Sequence, residues 1–167
     1  MTRWRAPRPP ASPYITAQGY RVLEAELKTL WERRAEVVKH LAAAAAEGDR
    51  SENAEYQYRK KELRGIDSRI GYLQRRMPVL KVVPAQCGIP ARVVFGSTVT
   101  LETAAGETRL VRIVGSDELD PARGQISVDS PLARALLGKA CDDEVTVAVG
   151  TGTPTSYCIL DITYGEP

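Results

Sequence analysis

Two arms of apolar residues in three-four spacing, separated by only seven residues, constrain what this chain can fold into more than any other feature. In the first arm Tyr20, Leu23, Leu27, Leu30, Val37, Leu41 and Ala44 step by three and four, with Arg34 a charged interruption. In the second, Tyr56, Leu63, Ile66, Ile70, Leu73, Met77 and Leu80 keep the same rhythm, with Arg59 the polar exception. A seam this narrow belongs to helices that pack mainly on each other. No proline lies between Ala17 and Glu47, and Glu47-Gly48-Asp49-Arg50-Ser51-Glu52-Asn53 is long enough only to reverse the chain. The arms therefore predict an antiparallel coiled-coil hairpin, whose first helix, about 30 residues at roughly 1.5 Å each, would form a rod of roughly 45 Å.

The reversal carries Asp49 and Glu52, three residues apart. One reading is a helix start: Asp at the N-cap accepts a bond from a backbone amide of the first turn, and Glu three residues on reaches back to the cap. The other is half of a metal site. Magnesium takes about six oxygens and is often held by one or two carboxylates with substrate phosphates and water. A carboxylate that caps with one oxygen can offer the other to a cation, so the readings coexist. Two carboxylates alone would bind magnesium weakly, and would become effective against a partner that already holds phosphates.

Flanking features refine the hairpin. Ala42 to Ala46 is a run of the strongest helix former, a rigid and slender stem before the reversal. His40, the only histidine, reads as a solvated side chain rather than a catalytic base. Arg59, Lys60, Lys61, Arg64, Arg69, Arg75 and Arg76 make the second arm basic, with only Glu62 and Asp67 interleaved among them. Residues 1 to 83 hold 17 Lys or Arg against 10 Asp or Glu, whereas residues 84 to 167 hold 6 against 11. Such asymmetry suits a basic arm that meets phosphate or an acidic surface. With no aromatic platform beyond Tyr56, Tyr58 and Tyr72, it does not read base sequence.

Pro78, Pro84, Gly88 and Pro90 close the second helix and make a linker, after which the period changes. Residues 91–101, 108–114, 124–128, 144–149 and 157–164 are rich in Val, Ile and Thr and separated by turn residues, which predicts strands of a small antiparallel sheet. Ser130, Pro131 and Gly138 bracket a short helix, as N-cap, first helical residue and terminator. The expected class is α+β, with residues 14–83 the hairpin and residues 84–167 the sheet domain. Residues 1–13, basic and proline-rich, read as a disordered tail.

Cys87, Cys141 and Cys158 are odd in number and too far apart for a zinc knuckle, so free thiols are expected. No apolar run approaches the roughly 20 residues of a membrane span, and the first 13 residues lack the apolar core of a signal peptide, which together point to the cytoplasm. The sheet half offers no histidine and no activated nucleophile, and Asp142-Asp143-Glu144 reads as a solvated turn.

Gly48 to Tyr56 with the following Gln57-Tyr58-Arg59-Lys60-Lys61, and Ile126 to Lys139 around Asp129-Ser130-Pro131, resemble the Gre family of bacterial transcript-cleavage factors. The Asp-Arg-Ser-Glu-Asn-Ala stretch, the Leu30-Trp31 pair and the basic second arm are similar to its GreB branch more than its GreA branch. The resemblance spans residues 14 to 164 and implies that the sheet domain is FKBP-like. It implies docking on the rim of the RNA polymerase secondary channel through Asp129, Ser130, Pro131 and Arg134 while the coiled coil enters the channel. Asp49 and Glu52 would then share a magnesium ion with the polymerase, supported by Arg50, Ser51, Asn53 and Tyr56. Arg59, Lys60, Lys61 and Arg64 would face the polymerase and the nascent RNA 3′ end. The chain would act as a monomer and complete the nuclease of the polymerase rather than be an enzyme itself. Where the family usually has Gly just before the Asp-Glu pair that follows the short helix, this chain has Asp142.

Two other functions fit parts of the pattern. A channel-binding modulator without cleavage would share the hairpin but have an altered acidic pair. A prolyl isomerase would need an aromatic-lined pocket, for which this half supplies Phe95, Tyr157 and Tyr164.

Overall fold

The computed structural model of the protein describes residues 10–46, 54–86, 88, 90–148 and 154–164. They divide into two units, one of Tyr20–Leu80 and one of residues 81–167 joined by residues 1–19, over their described parts. The hairpin unit holds α1 (Ala17–Ala46) from Tyr20 onward, α2 (Ala54–Arg76) and the residues after it to Leu80. Thr16 caps α1, its Oγ1 accepting from the Gly19 N–H at 3.0 Å. Proline cannot donate to the helical ladder, and α2 gives way one residue after Arg76 to a 3₁₀ turn, Met77–Val79, built around Pro78.

Cross-arm pairs establish the course of the helices. Glu26 near the start of α1 meets Arg69 late in α2, and Arg33 further up α1 meets Glu62 further back in α2, so the arms are antiparallel. Leu23, Val37, Ala44, Ile66, Ile70, Leu73 and Met77, all read as seam positions, are buried. Val37, Ile66 and Ile70 form one cluster, flanked by Leu27, Leu30 and Leu63. Arg34 keeps its charge at the seam's edge: Nε donates to Asp67 Oδ1 at 2.7 Å and the guanidinium lies 5.7 Å from the Trp31 ring centre. A long stem can line apolar surface while its head stays wet, so the interruption does not break the packing.

The second unit holds β1 (Tyr14–Thr16), β2 (Lys81–Val83), β3 (Ser97–Thr103), β4 (Thr108–Val114), β5 (Gln125–Ser127), β6 (Glu144–Val147), β7 (Thr155–Tyr164) and α3 (Pro131–Leu136). Five strands form a sheet in the order β5-β4-β3-β7-β6. One face of it carries the core, in which Val99, Leu101, Val111, Ile113, Ile159 and Ile162 of the central strands pack with Ala133 and Leu136 of α3.

Three sequence expectations need correction. The sheet is mixed rather than antiparallel, because β4 and β5 are parallel, with Arg112 opposite Gln125 and Val114 opposite Ser127. The connection from Gly115 to Gly124, with its 3₁₀ turn Pro121–Arg123, is long enough to carry the chain back to Arg112, midway along β4. The expected strand over 91–101 begins only at Ser97. Before it, Val93 exchanges backbone bonds with the exit of α3, donating to Lys139 O at 2.7 Å and accepting from Gly138 N at 2.8 Å, so its hydrogen bonds are spent outside the sheet. Finally, Tyr14–Thr16, counted from sequence as the start of the hairpin, is a strand. It pairs in parallel with Lys81–Val83, burying Ile15 completely.

Candidate functional site

Asp49, Arg50, Ser51, Glu52 and Asn53 lie outside the described residues. Their place in the chain is nonetheless bounded, since α1 stops at Ala46 and α2 starts at Ala54. The acids therefore sit in the connection at the end of an antiparallel hairpin. The stem beside it is slender: Ala44 is buried, while Ala42, Ala43 and Ala46 are exposed with only a methyl each to present. Tyr56, in the first turn of α2, is half-buried, and the Lys60 ammonium stands 5.8 Å from its ring centre.

The basic arm divides in two. Arg69 forks onto Glu26 with bonds of 2.7 and 2.8 Å, and the Arg69 guanidinium holds the Glu26 carboxyl below its ordinary range. Arg59 reaches Glu55 and Glu62, each at 3.4 Å. Glu62 also accepts from Arg33, at 2.6 and 2.9 Å, and that bond is the main reason its carboxyl is held below the usual value. These charges fasten the arms to each other. Lys60, Lys61 and Arg64 make no ion pair with any described residue, and Lys61 and Arg64 are exposed. Of the basic positions read as contacts, Lys61 and Arg64 present exposed cationic heads, Lys60 lies against Tyr56, and Arg59 is engaged within the hairpin.

The corner at α3 gathers Asp129, Ser130, Pro131 and Arg134. Ser130 Oγ accepts from Ala133 N at 3.2 Å and Pro131 fills the first helical position, as their order in the sequence predicts. Asp129 is a hub. Its Oδ2 accepts from Ser12 N at 2.8 Å and from Ser116 Oγ at 2.7 Å, and its Oδ1 accepts from Ser12 Oγ at 2.5 Å. Arg134 Nη2 approaches Oδ1 to 3.9 Å, with two thirds of its own side chain exposed. Partial burial pushes the Asp129 carboxyl up, but the Ser116 and Ser12 bonds and the Arg134 charge outweigh it and hold the group below 3.8.

Sequence reasoning missed a second carboxylate, Glu118. It accepts from Thr16 N at 3.0 Å, from Gly115 N at 2.8 Å and from the Thr16 hydroxyl, and so fastens the end of β1 to the end of β4 within the sheet unit. The approach is so close that a Cβ at Gly19 would stand 1.9 Å from Glu118 Oε1, and one at Gly115 would stand 2.3 Å from the Tyr14 carbonyl. Glu118 is about a hundred residues from Thr16, beyond the reach of any local pattern, though the two glycines were visible.

Other features carry no chemistry of their own. Cys141 and Cys158 are free thiols, and burial together with the nearby Asp142, Glu144 and Glu102 charges pushes the Cys158 thiol up. Among the described residues no three His, Cys, Asp or Glu side chains are grouped to hold a metal. Asp49 and Glu52, within the connection 47–53, are hard carboxylate donors, the type of ligand that magnesium takes. No helix of the described residues is long and apolar enough to cross a membrane. The three aromatics of a would-be isomerase pocket are not gathered. Tyr164 pairs with Ser97 at one end of β3 and Tyr157 with Thr103 at the other, while Phe95 packs on Tyr14 at 6.2 Å.

Comparison with known proteins covers nearly the whole chain. Residues 13–82 match the family model described as transcription elongation factor, N-terminal, and residues 89–164 match transcription elongation factor, GreA/GreB, C-term. Transcription elongation factor GreB of Xanthomonas axonopodis pv. citri (strain 306) is 51% identical over 168 residues, 99% of each chain. GreB of Pseudomonas aeruginosa is 51% identical over 165 residues, 98% of each. The solved structure of Thermus aquaticus Gfh1 aligns with a TM-score of 0.43 at 26% identity, across 93% of this chain and all of that one.

Proposed function

The chain belongs to the GreA/GreB family of transcription elongation factors and is of the GreB type, and on that footing we propose that it binds bacterial RNA polymerase and stimulates cleavage of backtracked RNA. The observation that carries this reading is an antiparallel hairpin whose arms are joined by a connection holding Asp49 and Glu52. The hairpin enters the polymerase secondary channel as a monomer, in the cytoplasm. It is the right kind of probe: its arms are locked by ion pairs and a buried seam, and its stem is lined with alanine.

In this reading the chain is not itself a nuclease. Asp49 and Glu52 each offer carboxylate oxygens to a magnesium ion held jointly with the polymerase. Arg50, Ser51, Asn53 and Tyr56 keep the two acids in place. A magnesium ion held there would supply a water of lowered pKa and, together with a second metal of the polymerase, charge to stabilise the attacking and leaving oxygens of an in-line displacement. Lys60, Lys61 and Arg64 supply positive charge along the path of the polymerase and the RNA 3′ end, with Arg59 bracing the arm beside them. Asp129, Ser130, Pro131 and Arg134 dock on the channel rim.

The test is to add the purified protein to stalled, backtracked polymerase complexes carrying RNA labelled at its 3′ end. Release of short 3′ fragments in magnesium, followed by resumed elongation on adding nucleotides, is the expected result. Tight binding that slows elongation and releases no fragment would contradict it and support a channel-occupying modulator.

A further inference from the structure

The docking corner is not made by its own segment alone. Asp129 receives two hydrogen bonds from Ser12, which is 117 positions away in the sequence, and one from Ser116. Ser116 in turn lies 3.1 Å from Ser127 Oγ, and that hydroxyl also accepts from the Asp129 backbone N–H at 3.1 Å. Ser12 has little freedom to move away. The Pro13 carbonyl next to it accepts from Lys81 N at 2.7 Å, Ile15 is fully buried and Thr16 is held by Glu118. Residues 12–16, read from sequence as the end of a tail and the start of the hairpin, are a fixed strap.

The consequence is geometric. A carboxylate on an unrestrained side chain rotates about two bonds, and ordering it costs entropy when a partner binds. Here Oδ2 has both lone pairs engaged, by Ser12 N and Ser116 Oγ. Oδ1 has one engaged by Ser12 Oγ, and the Arg134 guanidinium, mostly exposed, stands 3.9 Å from it. Three bonds thus fix the carboxylate plane and leave one oxygen and one cation side by side.

We propose that Ser12 is a positioning residue for docking, locking the Asp129 carboxylate so that Oδ1 and the Arg134 guanidinium present a single acid-base edge to the polymerase. The complementary surface offers one N–H or O–H donor to Oδ1 and one carboxylate to Arg134. The inference rests on the docking role proposed above for Asp129 and Arg134, and it extends that surface to the N-terminal strap.

The experiment is a double-mutant cycle read as equilibrium binding of full-length protein to core RNA polymerase, using wild type, Ser12→Ala, Asp129→Asn and the double variant, with thermal melting of each alongside. Ser12→Thr serves as the conservative control. Loss of one hydrogen bond to a charged group predicts that Ser12→Ala weakens binding by about tenfold, that Ser12→Thr restores most of it, and that Ser12→Ala adds less than about twofold in the Asp129→Asn background. Binding unchanged in Ser12→Ala but weakened in Asp129→Asn would overturn the inference and leave the docking reading standing. Equal loss from Ser12→Ala in both backgrounds would also overturn it, since Ser12 would then act through another contact. Binding unchanged in every variant would overturn the docking reading as well.

Discussion

Asp142, where the family resemblance led us to expect Gly, stands at a backbone angle that glycine favours. It lies at φ 66°, the one described non-glycine residue with positive φ. Glycine reaches that region freely, Asp and Asn tolerate it, and β-branched residues pay most. The turn therefore survives the substitution, and the expected order of melting temperature is Gly at or above Asp, then Ala, then Val. The Ala variant should lose about 1 kcal/mol and the Val variant more, as thermal denaturation of the three variants would show; equal melting for Asp, Ala and Val would refute the strain. Asp129 adds a pH signature. Its carboxyl is depressed in the folded protein, so the stability it contributes is present above the unfolded value near 3.8 and is lost as pH falls through the lower folded value. Urea unfolding of wild type and Asp129→Asn should differ by about 1–2 kcal/mol at pH 7, and the gap should close only below about pH 4. A gap independent of pH would mean the carboxylate's charge contributes nothing.

At the scale of elements, packing and charge in the hairpin make unequal contributions. Ile70 is 4% exposed in the cluster with Val37 and Ile66. Ile70→Ala should cost about 2–4 kcal/mol, as a large-to-small change in a packed core does. Arg34 pairs with Asp67 across the arms, but both side chains are more than a third exposed, and such pairs contribute about 0–1 kcal/mol. Arg34→Leu, which completes the apolar seam, should leave stability unchanged or raise it. Guanidinium unfolding followed by helical circular dichroism separates the two, and a larger loss from Arg34→Leu than from Ile70→Ala would invert the account. The seam was legible because helical spacing is a local property: Leu23, Val37, Ile66, Ile70 and Leu73 were all read from their three-four rhythm and all are buried. The α3 boundaries were legible for the same reason, since Ser130, Pro131 and Gly138 signal over a few residues. What was hidden depends on distant partners. The parallel entry of β5 beside β4, the β1–β2 ladder, and the Ser12–Asp129 and Thr16–Glu118 bonds join segments whose sequences say nothing of each other. The basic arm was half legible: its charge was plain, but the bonding of Arg69 to Glu26 across the seam needed the register of the helices.

For the whole molecule, the division of labour follows from where the charges are spent. Residues 1–83 carry the excess of Lys and Arg and residues 84–167 the excess of Asp and Glu, yet several arginines of the hairpin are consumed in holding its arms together. The polymerase would supply phosphates and the remaining metal ligands, and this chain two carboxylates on a stiff support. That claim is separable from helix capping, because Asn caps about as well as Asp and a capping box accepts Gln for Glu. The most direct measurement is therefore the rate of RNA cleavage in backtracked complexes with Asp49→Asn combined with Glu52→Gln, alongside polymerase binding and thermal melting. The account predicts that cleavage falls by at least about a hundredfold, on the order of losing a metal-binding group at a catalytic centre, while binding and melting hold. Cleavage at the wild-type rate would contradict it and leave Asp49 and Glu52 as a helix cap alone.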